Sequence, residues 1–314
     1  MSIPNSAVSS STAGAVRRSL KSSGTHWPSV IFQAILAFSL LVSLLVLLVL
    51  LLDVLSRGMP VLLERGVSFL TAPLSSNPSK AGIGQALWGT FVIAIIVVLV
   101  AVPLGIGTAV YLEEYAGDSR LTRLINVNIR NLAGVPSIVY GLLGLAVFVG
   151  IFKALGLGNG RNVIAGGLTV ATLVLPLIII IVAEALRAVP TPIREAGYGV
   201  GASRWQVTRL LVLPSAVPGI LTGVVLALSR ALGETAALIL AGAVLGSFSS
   251  GNADFVQQLL GPYTVLPMVV YQWTTLPQKE YQALAAAAII VLLVVTLTAN
   301  AFAIFLRNKY SRTW

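Results

Sequence analysis

Cysteine is absent from the chain, which removes disulfides, iron–sulfur clusters and thiolate zinc sites from consideration. The single histidine, His26, lies in a polar N-terminal stretch. Alone and solvated there, it supports neither a metal centre nor a Ser/His or His/Glu constellation. Charge is scarce as well. Charged residues are 10% of the 314, against 57% hydrophobic, and the mean hydropathy is +0.94; a soluble domain carries about 25% charged residues. So few ionic groups cannot cover a water-facing surface. The chain also lacks a Gly-x-x-x-x-Gly-Lys-[Ser/Thr] loop, so it does not cradle ATP phosphates in that manner. Gly105-Ile-Gly107 sits inside an apolar run without a third glycine and is no dinucleotide fingerprint.

What is present is apolar sequence in long runs. Six are long enough to cross ~30 Å of hydrocarbon: Val30–Leu52, Leu87–Tyr111, Ser137–Phe152, Val163–Leu186, Pro214–Gly246 and Tyr281–Leu306. The third is short and is expected to begin earlier, near Leu132. The fifth is long enough to tilt or break. The first is too long for a signal-peptide core and no small-x-small site closes it, so it reads as an uncleaved span. The expected organisation is a polar tail (1–29), a membrane domain (30–306) and a short C-terminal tail (307–314). The segments Asp53–Ala86 and Ser247–Glu280 read as loops or short interfacial helices.

The net charge of +10 could suggest nucleic acid, but the basic residues fall in clusters between apolar runs. Arg17, Arg18, Lys21, Arg120, Arg123, Arg130, Arg187, Arg194, Arg204, Arg209, Arg307, Lys309 and Arg312 lie on one side of the expected map. The other side has Arg57, Arg65, Lys80, Lys153, Arg161 and Lys279. Thirteen against six makes the first side cytoplasmic, with both termini inside. The partner this pattern implies is a lipid bilayer, not nucleic acid.

Between the fourth and fifth runs lies Pro190-Thr-Pro-Ile-Arg-Glu-Ala-Gly-Tyr-Gly-Val-Gly-Ala-Ser-Arg-Trp-Gln-Val-Thr-Arg-Leu-Leu-Val-Leu-Pro214. Thr191 can cap a helix with Pro192 in its first turn, and Glu195 suits that helix's N-terminal half. Gly201 permits a left-handed turn. Ser203-Arg-Trp-Gln206 matches a capping box for a second helix. A helix–turn–helix of this kind is a good docking knob, although an ordinary interfacial loop fits the same features.

The segment resembles the EAA loop of ATP-binding-cassette (ABC) importer permeases: Glu-Ala-Ala, three residues, Gly, nine residues, Ile-x-Leu-Pro. Glu195, Ala196, Gly201, Leu213 and Pro214 match at the right spacing. Gly197 replaces the second Ala and Leu211 replaces Ile, both mild changes. The resemblance implies an all-α, six-span type I importer permease in a bacterial inner membrane. The 190–214 loop would then be the coupling segment that docks on a separate ATPase. It also implies no catalytic site and no cofactor in this chain, with ATP and magnesium bound by partner subunits.

Ionisable groups within spans cost at least ~2.5–3.5 kcal/mol on insertion scales and are functional candidates. Glu184 reads as a helix-end residue that reaches the interface or pairs with Arg187. Arg230 and Glu234 lie deep in the fifth run, four apart, hence on one helix face. They are either a packing ion pair or part of an anion pathway, for which the arginine fork is well suited. Gly219, Gly223, Ala227, Ala231 and Thr235 form a neighbouring small-residue stripe suited to close helix contact.

Ser229-Arg-Ala-Leu-Gly-Glu-Thr-Ala-Ala237 resembles the corresponding segment of phosphate-importer permeases. So do Asn131-Leu-Ala-Gly-Val-Pro-Ser-Ile-Val-Tyr-Gly141, Gly82-Ile-Gly84 with Gly89-Thr90, and Leu266-Pro-Met-Val-Val-Tyr-Gln-Trp273. Within that family the PstA type is favoured over PstC. The resemblance implies phosphate import, a PstC-like partner permease, two PstB-like ATPases and an external PstS-like phosphate-binding protein. It also places the family's membrane Arg and Glu at Arg230 and Glu234. The nearest alternatives are the same machine for sulfate, molybdate or phosphonate, and an ion-coupled secondary transporter using Glu184 and Glu234. The latter has no need of an EAA loop, and no inverted repeat is apparent.

Overall fold

The structure is a computed structural model that describes residues 27–244 and 255–310, and all regular structure in them is helical. Six helical runs are long and apolar enough to cross a membrane: Trp27–Arg65, Gly84–Tyr115, Ser137–Ala154, Val163–Arg187, Arg204–Leu232 and Lys279–Lys309. They correspond one for one to the six expected spans, with shifted ends.

The chain divides into two units, 1–53 and 54–314. The described part of the first is the N-terminal arm of α1 (Trp27–Arg65). Each of its described residues is exposed, as suits a mostly apolar helix whose solvent is lipid. The helix runs on past Asp53 to Arg65, and α2 (Val67–Thr71) follows. Asp53–Ala86 is therefore not chiefly loop.

In the second unit α3 (Gly84–Val110) continues through a π-helical turn, Tyr111–Tyr115. It lies along α7 (Val163–Arg187). Gly105 allows the approach: a Cβ there would come 2.5 Å from the Ile178 side chain. Between them in sequence come α4 (Arg120–Ala133), α5 (Ser137–Gly144), a second π turn and α6 (Gly150–Ala154). The third span thus follows a 14-residue amphipathic helix, which hydropathy alone reads as a polar loop.

α8 (Thr191–Gly199) and α9 (Arg204–Val207) precede α10 (Leu213–Leu232). α9 joins α10 through a third π turn, Thr208–Val212. The cause is Pro214, which has no N–H for the preceding turn and whose ring crowds the carbonyl four residues back. A widened turn relieves both without ending the helix. The fifth span therefore begins at Arg204, not Pro214, and stops at Leu232, not Gly246. α10 packs antiparallel on α7, with Gly219 against Ala185 and Gly223 against Ile181. This is the close contact expected of the small-residue stripe at Gly219 and Gly223; Ala227 and Ala231 are buried as well.

After α11 (Ala236–Leu240) and α12 (Phe255–Leu260), α13 (Leu266–Thr275) precedes α14 (Lys279–Tyr310). α13 packs inward, with Leu266, Met268, Val269 and Trp273 buried. Trp273 sits between Phe69 and Tyr281, with ring centroids 6.5 Å and 6.0 Å away. The hydroxyl of Thr90, buried on α3, accepts the Leu266 N–H at 2.9 Å, seating α13 on α3.

Candidate functional site

The 190–214 segment folds as helix, turn and helix. α8 starts from Pro190 with no side-chain cap bond. Thr191 is already inside the first turn, so the expected Thr191 cap does not form; Pro192 suits the first turn because its missing N–H would have been an orphan there. The far end closes on Gly201 at φ +83°. The Gly201 N–H reaches Tyr198 O at 2.9 Å and the Ala202 N–H reaches Gly197 O at 3.1 Å, the bond pair that ends a helix on a left-handed residue. Ser203 then caps α9. Its hydroxyl accepts the Gln206 N–H at 3.4 Å, and Gln206 Oε1 accepts the Ser203 N–H at 2.8 Å, the reciprocal box expected from sequence.

α8 buries Gly197 and leaves Glu195 and Ala196 exposed. A Cβ on Gly197 would lie 2.8 Å from both Leu211 Cδ1 and Val207 Cγ2. The two departures from the family pattern thus meet in space, and small-for-small was not an idle exchange. Leu213 is half-buried and Pro214 exposed. Beside Glu195 and Ala196 the segment shows an apolar tip: Tyr198, Val200 and Trp205 are 46%, 84% and 55% exposed.

Sequence reasoning missed what holds this segment. Arg187, at the end of α7, donates from Nε (2.8 Å) and Nη2 to the two carboxylate oxygens of Glu113. It is therefore Glu113, not Glu184, that pairs with Arg187; Glu184 is exposed. Arg194 on α8 donates to Glu114 at 2.9 Å and to the carbonyls of Leu186 and Val189 at 2.8 and 2.6 Å. The Arg204 guanidinium lies 5.3 Å from the Tyr115 ring centroid, a cation–π contact. The available signal was the Glu113-Glu114 doublet closing an apolar run.

Arg230 and Glu234 are not on one helix face, and they form no ion pair. α10 ends at Leu232, and Gly233–Thr235 interrupts the run. Glycine disfavours the helix, and Glu234 Oε1 turns to accept the Ala237 N–H at 3.2 Å, opening α11. Continuing the register of Gly219 on Ala185 and Gly223 on Ile181 sets Arg230 level with Val174, midway along α7. Arg230 is exposed on the chain. The Tyr140 hydroxyl bridges a second interruption, Gly134-Val-Pro136, by donating to Leu132 O at 2.9 Å. Beyond the two breaks α5 and α11 pack together, Gly141 against Ala237. Broken backbone at membrane depth is tolerated where it is buried or lines a cavity.

Two further polar features involve the spans. Arg130 lines a cleft with Asn126, Ile179, Ile180, Ala183 and Arg187, so it stands beside the latter half and end of α7. The Ser229 hydroxyl donates to Asn300 Oδ1 at 2.7 Å, tying α10 to α14.

Residues 101–312 match the family model described as binding-protein-dependent transport system inner membrane component. The chain belongs to this family. It is a multi-pass inner-membrane protein. It is 37% identical over 171 residues to the probable ABC transporter permease protein YqgI of Bacillus subtilis, a match covering 54% of this chain and 56% of that one. To phosphate transport system permease protein PstA 1 of Mycobacterium tuberculosis it is 35% identical, covering 74% and 72%. Phosphate transport system permease protein PstC of Mesorhizobium japonicum is 34% identical, over 74% and 75%. Among solved structures, a bacterial ABC transporter involved in import of the acidic polysaccharide alginate matches with a TM-score of 0.60 at 15% identity, covering 91% of this chain and 99% of that one. That likeness supports the type I permease fold.

Proposed function

We propose that this chain is a PstA-type permease subunit of an ABC importer that moves inorganic phosphate into the cytoplasm. The observation behind the cargo is Arg230: a guanidinium without a carboxylate partner among the described residues, level with the middle of α7 and beside two interrupted spans. An exposed arginine there is costly against lipid. It is useful against an anion, because it gives two parallel hydrogen bonds and keeps its charge. The relatives named for phosphate transport point the same way. Arg130, nearer the coupling end, continues a basic route without making a single tight trap.

Power comes from outside the chain. Glu195, Ala196, Gly197, Gly201, Leu213 and Pro214 form the coupling segment, and its exposed Tyr198, Val200 and Trp205 tip docks on an ATPase that binds ATP and magnesium. The segment and both termini face the cytoplasm, as the thirteen-to-six basic asymmetry favours. A PstC-like subunit completes the pathway, two PstB-like ATPases drive it and a PstS-like binding protein delivers phosphate. Glu234 holds the helix break in place rather than neutralising Arg230.

The test is uptake of radiolabelled phosphate by the complete complex in liposomes. Uptake should require ATP on the coupling side and resist excess sulfate and molybdate. Phosphate uptake driven by an ion gradient without ATP would refute the importer reading. Competition by sulfate or molybdate as strong as by phosphate itself would refute the cargo.

A further inference from the structure

Three arginines from three successive elements converge on three successive residues. Arg187 ends α7, Arg194 lies on α8 and Arg204 opens α9; they meet Glu113, Glu114 and Tyr115 respectively. Those three residues form most of the π turn that closes α3. π turns inside helices recur at functional sites.

The contacts are graded. Glu114 is 5% and Arg194 20% exposed, whereas Arg187 is 47% exposed in its pair with Glu113. Arg194 is the most constrained, because it also holds the carbonyls of Leu186 and Val189 where α7 gives way to α8. α8 therefore cannot shift without taking Glu114 with it or breaking a buried pair. The Tyr115 hydroxyl is buried and has no hydrogen-bond partner among the described residues, which leaves capacity for a second arrangement of the turn.

The other end of the same helix is also fastened. The helical run Gly84–Tyr115 has 32 residues, about 48 Å at 1.5 Å per residue. Near its start Thr90 accepts the Leu266 N–H and Gly89 abuts the Thr264 carbonyl. One continuous helix thus links the coupling segment to the α13 seat at the opposite end.

We infer that the Glu113–Glu114–Tyr115 turn is the receiving joint of the coupling apparatus, handing movement of the 190–214 segment to the second span, with Glu114 as its main positioning residue. This rests on the reading of that segment as the ATPase dock. While Glu114 holds Arg194, a nucleotide-driven shift of α8 displaces α3 along its length. With the charge removed, α8 still docks and the ATPase still turns over, but α3 no longer follows.

The test uses the full complex in liposomes with three readouts. A cysteine in place of Ala196 is cross-linked to the ATPase subunit to report docking. ATP hydrolysis is measured directly. Spin labels at Phe91 and Leu155, both exposed, report the distance change on trapping with ATP and vanadate. In Glu114→Gln, cross-linking and hydrolysis should persist while most of the distance change is lost. Arg194→Lys, which keeps charge but not the multi-pronged contact, should fall between Glu114→Gln and the parent. An undiminished distance change with cross-linking intact overturns the joint and leaves the dock standing. Failure of Ala196→Cys to cross-link in the otherwise parental complex overturns the dock, and the joint with it. Should Glu114→Gln not assemble, Glu113→Gln at the more exposed pair is read by the same criteria, with a smaller expected loss.

Discussion

Placing the same methyl group at two glycines of α3 should have opposite effects. Alanine is favoured over glycine in a helix interior by about 0.5–1 kcal/mol. At Gly107 an added Cβ meets no atom within 4 Å, so Gly107→Ala should show that gain in full. At Gly89 the Cβ would lie 2.0 Å from the Thr264 carbonyl oxygen, well inside the ~3.3 Å of the closest ordinary carbon–oxygen contacts. The obstacle is backbone, so no rotamer change relieves it; α13 must lift from α3. Overpacking of this kind costs about 1–3 kcal/mol. Loss of the Thr90–Leu266 hydrogen bond adds about 1 kcal/mol. After subtracting the helix gain, Gly89→Ala should destabilise by about 1–3 kcal/mol. Thermal unfolding of the detergent-solubilised parent and both variants measures this. A Gly89→Ala protein as stable as Gly107→Ala would refute the seating of α13 on α3.

Other outcomes follow from the coupling segment and the helix break. In sealed cells, an impermeant thiol reagent added outside should label Leu155→Cys and miss Val200→Cys; outside labelling of Val200→Cys would invert the map. Asn252, on an expected outer loop, lies outside the described residues, so Leu155 is the better reporter. Gly201→Val meets no neighbour but must hold a left-handed backbone, at about 1–2 kcal/mol. It should insert normally yet lower the ratio of phosphate imported to ATP hydrolysed; an unchanged ratio would remove the turn from coupling. Glu234→Gln keeps an acceptor for the Ala237 N–H, whereas Glu234→Ala does not. Complex stability should therefore fall by about 1 kcal/mol in Glu234→Ala and stay near parental in Glu234→Gln. Equal losses in the two would contradict the capping role.

Apolar length made the spans legible, and Val163–Leu186 came within one residue of the observed helix. Hydropathy stops at charge, however, and two helices do not. Arg204–Leu211 belongs to the fifth span although it is polar at its start, because a π turn carries the helix through Pro214. Arg120–Ala133 precedes the third span as an amphipathic helix, so Arg130 stands beside the membrane-spanning α7 rather than in a loop. The Gly201 turn and the Ser203–Gln206 box were readable because their causes are local. The Glu113 and Glu114 pairs were not, since their arginines are 74 and 80 residues away in sequence. The same-face reading of Arg230 and Glu234 assumed an unbroken helix; Gly233 was the residue arguing against it.

The most direct measurement of the central claim is phosphate uptake by complexes carrying Arg230→Gln or Arg230→Lys, with assembly verified in each. A charged hydrogen bond contributes about 1.5–3 kcal/mol. If Arg230 takes the anion, Arg230→Gln should assemble and lose uptake by roughly 10- to 100-fold. Arg230→Lys, with charge but without the planar fork, should be partly defective. No ion pair with Glu234 needs to be broken, so the loss cannot be assigned to a stranded Glu234. An assembled Arg230→Gln complex importing phosphate at the parental rate would contradict the pathway and leave Arg230 a bystander.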